Sequence, residues 1–262
     1  MKFTAKQIDQ WWKSGKTLPV EVTQQYPLDP IKLINDTGIY LLVDMSHKCD
    51  FFLLWQLSEQ LHRRGIRSVG SHATLDTQLV PKSLARIRIT TEPKLHPFAW
   101  WPTPQWNVVL TEGEFGSPDY IPEERQALER YLRNGGGLIV SGNWHGDKPN
   151  NSWSLNQLLS SYGAEILPEK VLHEENRWPL VQVDENWEII LQNDDKQPIY
   201  ARRSWGKGRI VVLASSDLYR FSDKDTNQME QKLDLLTQIV EWAGAGIPLA
   251  IGKPRLPTPM YG

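Results

Sequence analysis

The sequence predicts an α/β fold in three layers: a mostly parallel central sheet flanked by helices, with an additional β-rich section. Three observations carry this. Four short aliphatic segments, Ile39 to Val43, Trp106 to Leu110, Leu138 to Ser141 and Arg209 to Ser215, each lead into polar residues. Segments of that length are what strands buried on both faces require, as in a parallel sheet. Between them lie stretches with apolar residues at three- and four-residue spacing, closed by glycine, which is the pattern of core-facing helices. After Leu138 to Ser141 comes a sharp turn, Gly142-Asn143-Trp144-His145-Gly146. In open α/β sheets, ligands bind at the carboxyl ends of the strands.

The elements follow in order. Thr4 to Lys13 reads as a short amphipathic helix carrying Trp11 and Trp12, stopped by Gly15. Leu18 to Pro30 is punctuated by proline and therefore extended. It is an arm that packs on the domain or docks on a partner. The first strand ends at Asp44, and a turn runs from Met45 to Asp50. A helix follows from Phe51 to Arg64, with Leu53, Leu54, Leu57 and Leu61 as its core face and Gly65 as its cap. Ile66 to Ala73 is the second strand. Leu79 to Leu84 reads as a short helix and Ile87 to Thr90 as a strand. Pro93, Pro97, Pro102 and Pro104 surround Trp100 and Trp101 and exclude a central strand there, leaving a rigid loop.

The strand Trp106 to Leu110 leads into Thr111 to Gly116. Pro122 fits the first turn of a helix, and Glu123 and Glu124 suit the positive end of its dipole. Leu128, Tyr131 and Leu132 face inward, and Asn134 to Gly137 stops the helix. Beyond the sharp turn come a loop, Asp147 to Asn151, and a helix from Ser154 to Tyr162 capped by Gly163. Ala164 to Tyr200 is mainly β, with strands at Trp178 to Val183 and Trp187 to Leu191. Pro198 to Arg203 and Arg209 to Ser215 form a hairpin across Trp205 to Gly208. The last helix runs from Asn227 to Trp242, with Leu233, Leu236, Ile239 and Val240 inward. The expected division is an arm (1–36), an α/β domain (37–246, its β-rich section 164–204) and a proline-rich tail (247–262).

Composition narrows the function. Among 262 residues, 29 Lys and Arg face 31 Asp and Glu, for a net charge of −2. That argues against a general nucleic-acid or membrane surface. No apolar run approaches the length of a spanning helix, and no signal peptide is visible. A cytoplasmic chain without membrane insertion is expected. The single Cys excludes an internal disulfide. The twelve Trp fill core, or in part stack on sugars, bases or a protein partner.

Four pieces stand in a telling order: Asp44-Met-Ser-His47 after the first strand, Tyr131-Leu-Arg-Asn-Gly-Gly-Gly137, the turn Gly142 to Gly146, and the late Gly206-Lys-Gly-Arg-Ile-Val-Val-Leu-Ala-Ser-Ser-Asp217. From Gly38 to Ala243 the chain resembles the class I glutamine amidotransferase-like superfamily, whose sheet is flavodoxin-like. Within it the likeness is to degenerate branches, the trehalose-utilisation type and the domain of gliding-motility and intraflagellar-transport proteins. Active members place Cys at the centre of the turn and a His-x-Glu pair after the late strand. Here Trp144 and Ser216-Asp217-Leu218 stand instead. An indole carries no nucleophile, so glutamine hydrolysis and ammonia transfer are not expected.

The strand ends offer Asp44, Ser46, His47, Glu112, Glu114, Asn143, Trp144, His145, Ser216 and Asp217 as ligand-binding candidates. Carboxylates and imidazoles together could run acid–base hydrolysis or hold a divalent ion. They could equally cap helices and satisfy loop backbones. The catalytic candidates are Cys49, His145 and Asp217. Cys49 precedes a helix N-terminus, where a thiolate is stabilised, or is a buried thiol. No pair has metal-ligand spacing, so neither a metal nor another cofactor is expected. Trp100, Trp101, Trp144 and Trp153 form an aromatic wall at the same edge or pack a loop over the sheet.

The expected function is a non-catalytic domain that binds a partner protein or small polar ligand at the carboxyl edge. The alternatives are a hydrolase of carbohydrate-like substrates, with or without a metal, and a scaffold subunit. No sequence feature points to an oligomeric state.

Overall fold

The computed structural model describes residues 37–47, 60–71, 75–79, 106–113, 118–142, 153–167, 179–219 and 226–246. The strands are β1 (Tyr40–Asp44), β2 (Arg67–Ser71), β3 (Val108–Gly113), β4 (Gly137–Gly142), β5 (Ala164–Leu167), β6 (Leu180–Val183), β7 (Glu188–Gln192), β8 (Pro198–Trp205) and β9 (Gly208–Leu213). The helices are α1 (Leu75–Gln78), α2 (Pro122–Arg133), α3 (Trp153–Leu159) and α4 (Thr226–Gly244), with 3-10 turns at Ser160–Tyr162 and Ser216–Leu218. Residues 60–63 are also helical and lead into Gly65, which has φ 80°.

Seven strands form one sheet in the order β2-β1-β3-β4-β9-β8-β7. The first five run parallel, and β8 and β7 continue it antiparallel. β5 and β6 make a separate antiparallel pair. The β-rich section is thus shared between two sheets, its later half extending the main one.

The central strands are buried on both faces, as their uninterrupted apolar character requires. Leu42, Val109, Leu138, Val140 and Val212 pack with Leu128 and Leu132 of α2 and Leu155 and Leu158 of α3. On the opposite face, Leu41, Val43, Leu110, Ile139 and Val211 pack with Leu233, Leu236, Ile239 and Val240 of α4. This is a three-layer α/β arrangement. α2 begins with Pro at its first position and ends at Asn134, whose amide bonds back to the last turn.

Two glycines lie where backbone segments approach closely. At Gly208 a Cβ would lie 2.3 Å from the Gly136 carbonyl oxygen and 2.4 Å from that of Leu132. At Gly142 it would lie 2.3 Å from the Ala214 carbonyl oxygen. No side chain fits at either place.

A helical turn lies at Leu75–Gln78, with Leu79 just beyond it; the rest of the helix expected over Leu79 to Leu84 lies outside the described residues. A contact from far along the chain, Glu124 Oε1 accepting from the Leu75 amide at 3.1 Å, anchors that turn. The third strand continues through Thr111, Glu112 and Gly113, because these residues pair with Val140, Ser141 and Gly142 of β4. Among the described residues, no helix is long and apolar enough to cross a membrane. The expected N-terminal helix and arm, the helix over 51–59, the segments 80–105 and 147–151, and the C-terminal tail lie outside the described residues.

Candidate functional site

The carboxyl end of β1 turns sharply at Asp44 to His47. Asp44 Oδ1 accepts from the Ser46 amide at 3.0 Å and from the Ser46 hydroxyl at 2.5 Å. This is the local turn that a short carboxylate favours. Asp44 Oδ2 receives the Thr111 hydroxyl of β3 at 2.9 Å and lies 2.7 Å from His47 Nδ1. The Thr111 hydroxyl also meets the Tyr120 hydroxyl at 2.5 Å. The Tyr120 ring stacks on the His47 imidazole, with centroids 3.8 Å apart and planes 15° apart. On the far side of His47, Nε2 lies 3.6 Å from Glu124 Oε2.

Glu124 completes the arrangement from the first turn of α2. Its Oε2 accepts from the Ile121 amide at 3.0 Å, one half of a capping box. Asp44, His47, Tyr120 and Glu124 are each 1–2 % exposed. Burial by itself lowers the pKa of His47. The hydrogen bonds and charges of Asp44 and then Glu124 outweigh it and raise the pKa from 6.5 to about 9. The imidazole is therefore a cation at neutral pH, held between two carboxylates and over a π face.

The geometry decides what this histidine can do. In a serine–histidine–acid relay, the hydroxyl sits on one ring nitrogen and the acid on the other. Here Ser46 Oγ, at 3.0 Å, and Asp44 both sit at Nδ1. A protonated imidazole clamped in this way has no lone pair to accept a proton. Its role within the network is to tie β1, β3 and α2 together.

Among the described residues, the other candidates do not all join this network. Thr111 and Glu112 are adjacent in β3, so the pleat sends them to opposite faces of the sheet. Thr111 joins Asp44 on the α2 face. Glu112, fully buried, receives the Tyr219 hydroxyl, and Tyr219 belongs to the core on the α4 face. Ser215 caps the 3-10 turn after β9: its hydroxyl accepts from the Asp217 amide and donates to Asp217 Oδ2, both at 3.1 Å. Asp217 is exposed, and Ser216 is buried with its hydroxyl unpartnered among the described residues. Asp44, Ser46 and His47 are thus together, while Glu112 and the Ser216–Asp217 pair stand apart from them. Cys49, Glu114, Asn143, Trp144 and His145 lie outside the described residues, as do Trp100 and Trp101 and the side chain of Trp153. Among the described residues, no group of three His, Cys, Asp or Glu could hold a metal ion.

Three members of the network escaped the sequence reading. Glu124 carries a detectable signal, since a Glu three residues into a helix start is the capping-box position. Thr111 and Tyr120 carry none, because their partners are distant in sequence.

No family model matches the chain, and no curated protein matches it. Solved structures do. The mmIFT52 N-terminal domain matches with a TM-score of 0.54 at 16 % identity, over 79 % of this chain and 98 % of that one. A cytoplasmic protein of Salmonella typhimurium LT2 matches with a TM-score of 0.43 at 14 % identity, over 78 % and 98 %. A ThuA-like protein of Parabacteroides merdae ATCC 43184 matches with a TM-score of 0.38 at 11 % identity, over 79 % and 89 %. At these identities the likeness is one of fold alone, and only the first is strong enough to carry that.

Proposed function

We propose that this chain is an amidotransferase-like domain without catalytic activity, which works by binding a protein partner or a small polar ligand at the carboxyl edge of its sheet. One observation above all supports the reading. The histidine nearest that edge among the described residues is buried, charged and held between Asp44 and Glu124. It is committed to structure, and a base for hydrolysis would have to come from elsewhere. Trp144 at the centre of the turn points the same way, since it removes the nucleophile that the superfamily mechanism needs. The separation of Glu112 from Asp44 by the sheet weighs against a hydrolase built on a carboxylate cluster. A cytoplasmic location belongs to the proposal and is supported by the single Cys.

The test is turnover by the purified full chain. Glutamine is followed by ammonia release, and nitrophenyl glycosides and esters by absorbance, each with and without added magnesium or zinc. The expected result is no turnover above heat-treated protein. Turnover that is lost in His145→Ala or Asp217→Ala would overturn the proposal.

A further inference from the structure

A groove of about 540 Å3 runs along α2 and is lined by none of the residues of the buried network. Its helix wall is one stripe, Pro122, Arg125, Gln126, Glu129 and Arg130, at three- and four-residue spacing. Opposite stand Leu158 of α3, Tyr162 of the following 3-10 turn, and Trp205 at the end of β8. Leu158 and Tyr162 are almost fully buried and close the floor, whereas Trp205 is half-buried.

The indole of Trp205 is fixed from three sides. Its Nε1 donates to Glu129 Oε2 at 3.0 Å, Tyr162 meets it edge-on at 5.2 Å, and the Arg203 guanidinium lies 4.7 Å from the ring centroid. A rigid aromatic surface of this kind anchors a partner at little entropic cost.

The charges on the wall do not balance. Glu129, the one carboxylate lining the groove among the described residues, is committed to Trp205 and to Arg133, whose Nε lies 2.6 Å from Oε1. Arg125 and Arg130 make no ion pair among the described residues. A chain with a net charge of −2 thus carries, beside an aromatic wall, two guanidinium groups with no ion pair among the described residues. Guanidinium forks match carboxylates in paired hydrogen bonds. The two arginines are five residues apart, about 7.5 Å along the helix axis. An extended segment covers that distance in roughly two to three residues.

We infer that this groove docks an extended segment of a protein partner, one with two acidic residues two or three positions apart and an adjacent apolar or aromatic anchor. The inference rests on the reading that the chain works by binding, and it names a surface other than the carboxyl edge. The acids pair with Arg125 and Arg130, and the anchor lies against Trp205.

The test is selection of a displayed library of random twelve-residue peptides on the full chain. The winners are then measured by fluorescence anisotropy on wild type, Arg125→Glu/Arg130→Glu and Arg125→Lys/Arg130→Lys. Both positions are on the outer helix surface, so the variants are expected to keep the wild-type unfolding midpoint. Enriched peptides should carry paired acidic residues. The Glu pair should weaken binding by roughly tenfold or more, and the Lys pair should retain most of it. Added salt should weaken wild-type binding. Winners without acidic residues, binding unchanged by the Glu pair, or no enrichment at all would each overturn the inference. Turnover in the hydrolysis assays would overturn the non-catalytic reading and leave the peptide result standing.

Discussion

Replacing Glu124 by Gln removes one carboxylate from the buried histidine and changes almost nothing in shape. In the native chain Glu124 does three things: it accepts from the Ile121 amide at 3.0 Å, accepts from the Leu75 amide at 3.1 Å, and faces His47 Nε2 at 3.6 Å. A Gln can accept with one oxygen only, and its amide group then points a donor at a second donor. Removing one partner of a buried ion pair costs about 3–5 kcal/mol. Asp44 still compensates His47, which puts Glu124→Gln near the lower end, about 3 kcal/mol. Linkage gives the contribution of His47 with both carboxylates in place. A folded-state pKa near 9 against an unfolded value of 6.5 corresponds to about 3 kcal/mol. Because the folded pKa is raised, that stability is fully present below about pH 6.5 and is lost as pH rises through 9. The assay is urea unfolding of wild type and variant at pH 6, 7.5 and 9.5. Wild type should lose stability steadily across the series, and the variant should start lower and lose less. A variant within about 0.5 kcal/mol of wild type at pH 6, or a wild type insensitive to this pH range, would refute the clamped-cation argument.

Thr111→Val keeps the volume but removes the hydroxyl that links Asp44 to Tyr120. It should cost about 1–3 kcal/mol, read as a lower urea midpoint with an unchanged slope. Gly208→Ala drives a Cβ into two backbone carbonyls, and the overpacking should cost about 3 kcal/mol. A normal soluble yield and melting temperature for Gly208→Ala would contradict the close approach of β9 to the end of α2. Leu236→Ala opens a hole in the core beneath α4 and should cost about 2–5 kcal/mol, measured by thermal unfolding. Asp217→Ala should leave stability within about 0.5 kcal/mol, since Asp217 is exposed and its local bonds cap a single short turn.

What the sequence by itself determined is the frame. Short aliphatic segments set β1, β3, β4 and β9, because a strand buried on both faces cannot alternate with polar residues. Pro122, the Asn134-Gly137 stop and Gly163 marked helix ends, because those residues relieve or forbid particular backbone geometries. Leu128, Tyr131 and Leu132 of α2, and Leu233, Leu236, Ile239 and Val240 of α4, were legible from helical spacing, and all are buried. The local turn Asp44-Ser46-His47 was also within reach, since its bonds span at most three residues.

Tertiary structure alone decided what that turn is for. Ending the third strand at Leu110 hid the pleat beyond it, and the pleat is what separates Thr111 from Glu112. Asp44 is a local partner of His47, but the burial of the imidazole and its second carboxylate come from Tyr120 and Glu124, which lie more than seventy residues away, and no local pattern encodes that meeting. The division of the β-rich section has the same origin. β7 and β8 join the main sheet because β8 pairs with β9, whereas β5 and β6 pair with each other in a separate sheet. Strand identity is written in neighbouring residues; strand partnership and the burial of an imidazole depend on segments that meet only when the chain has folded.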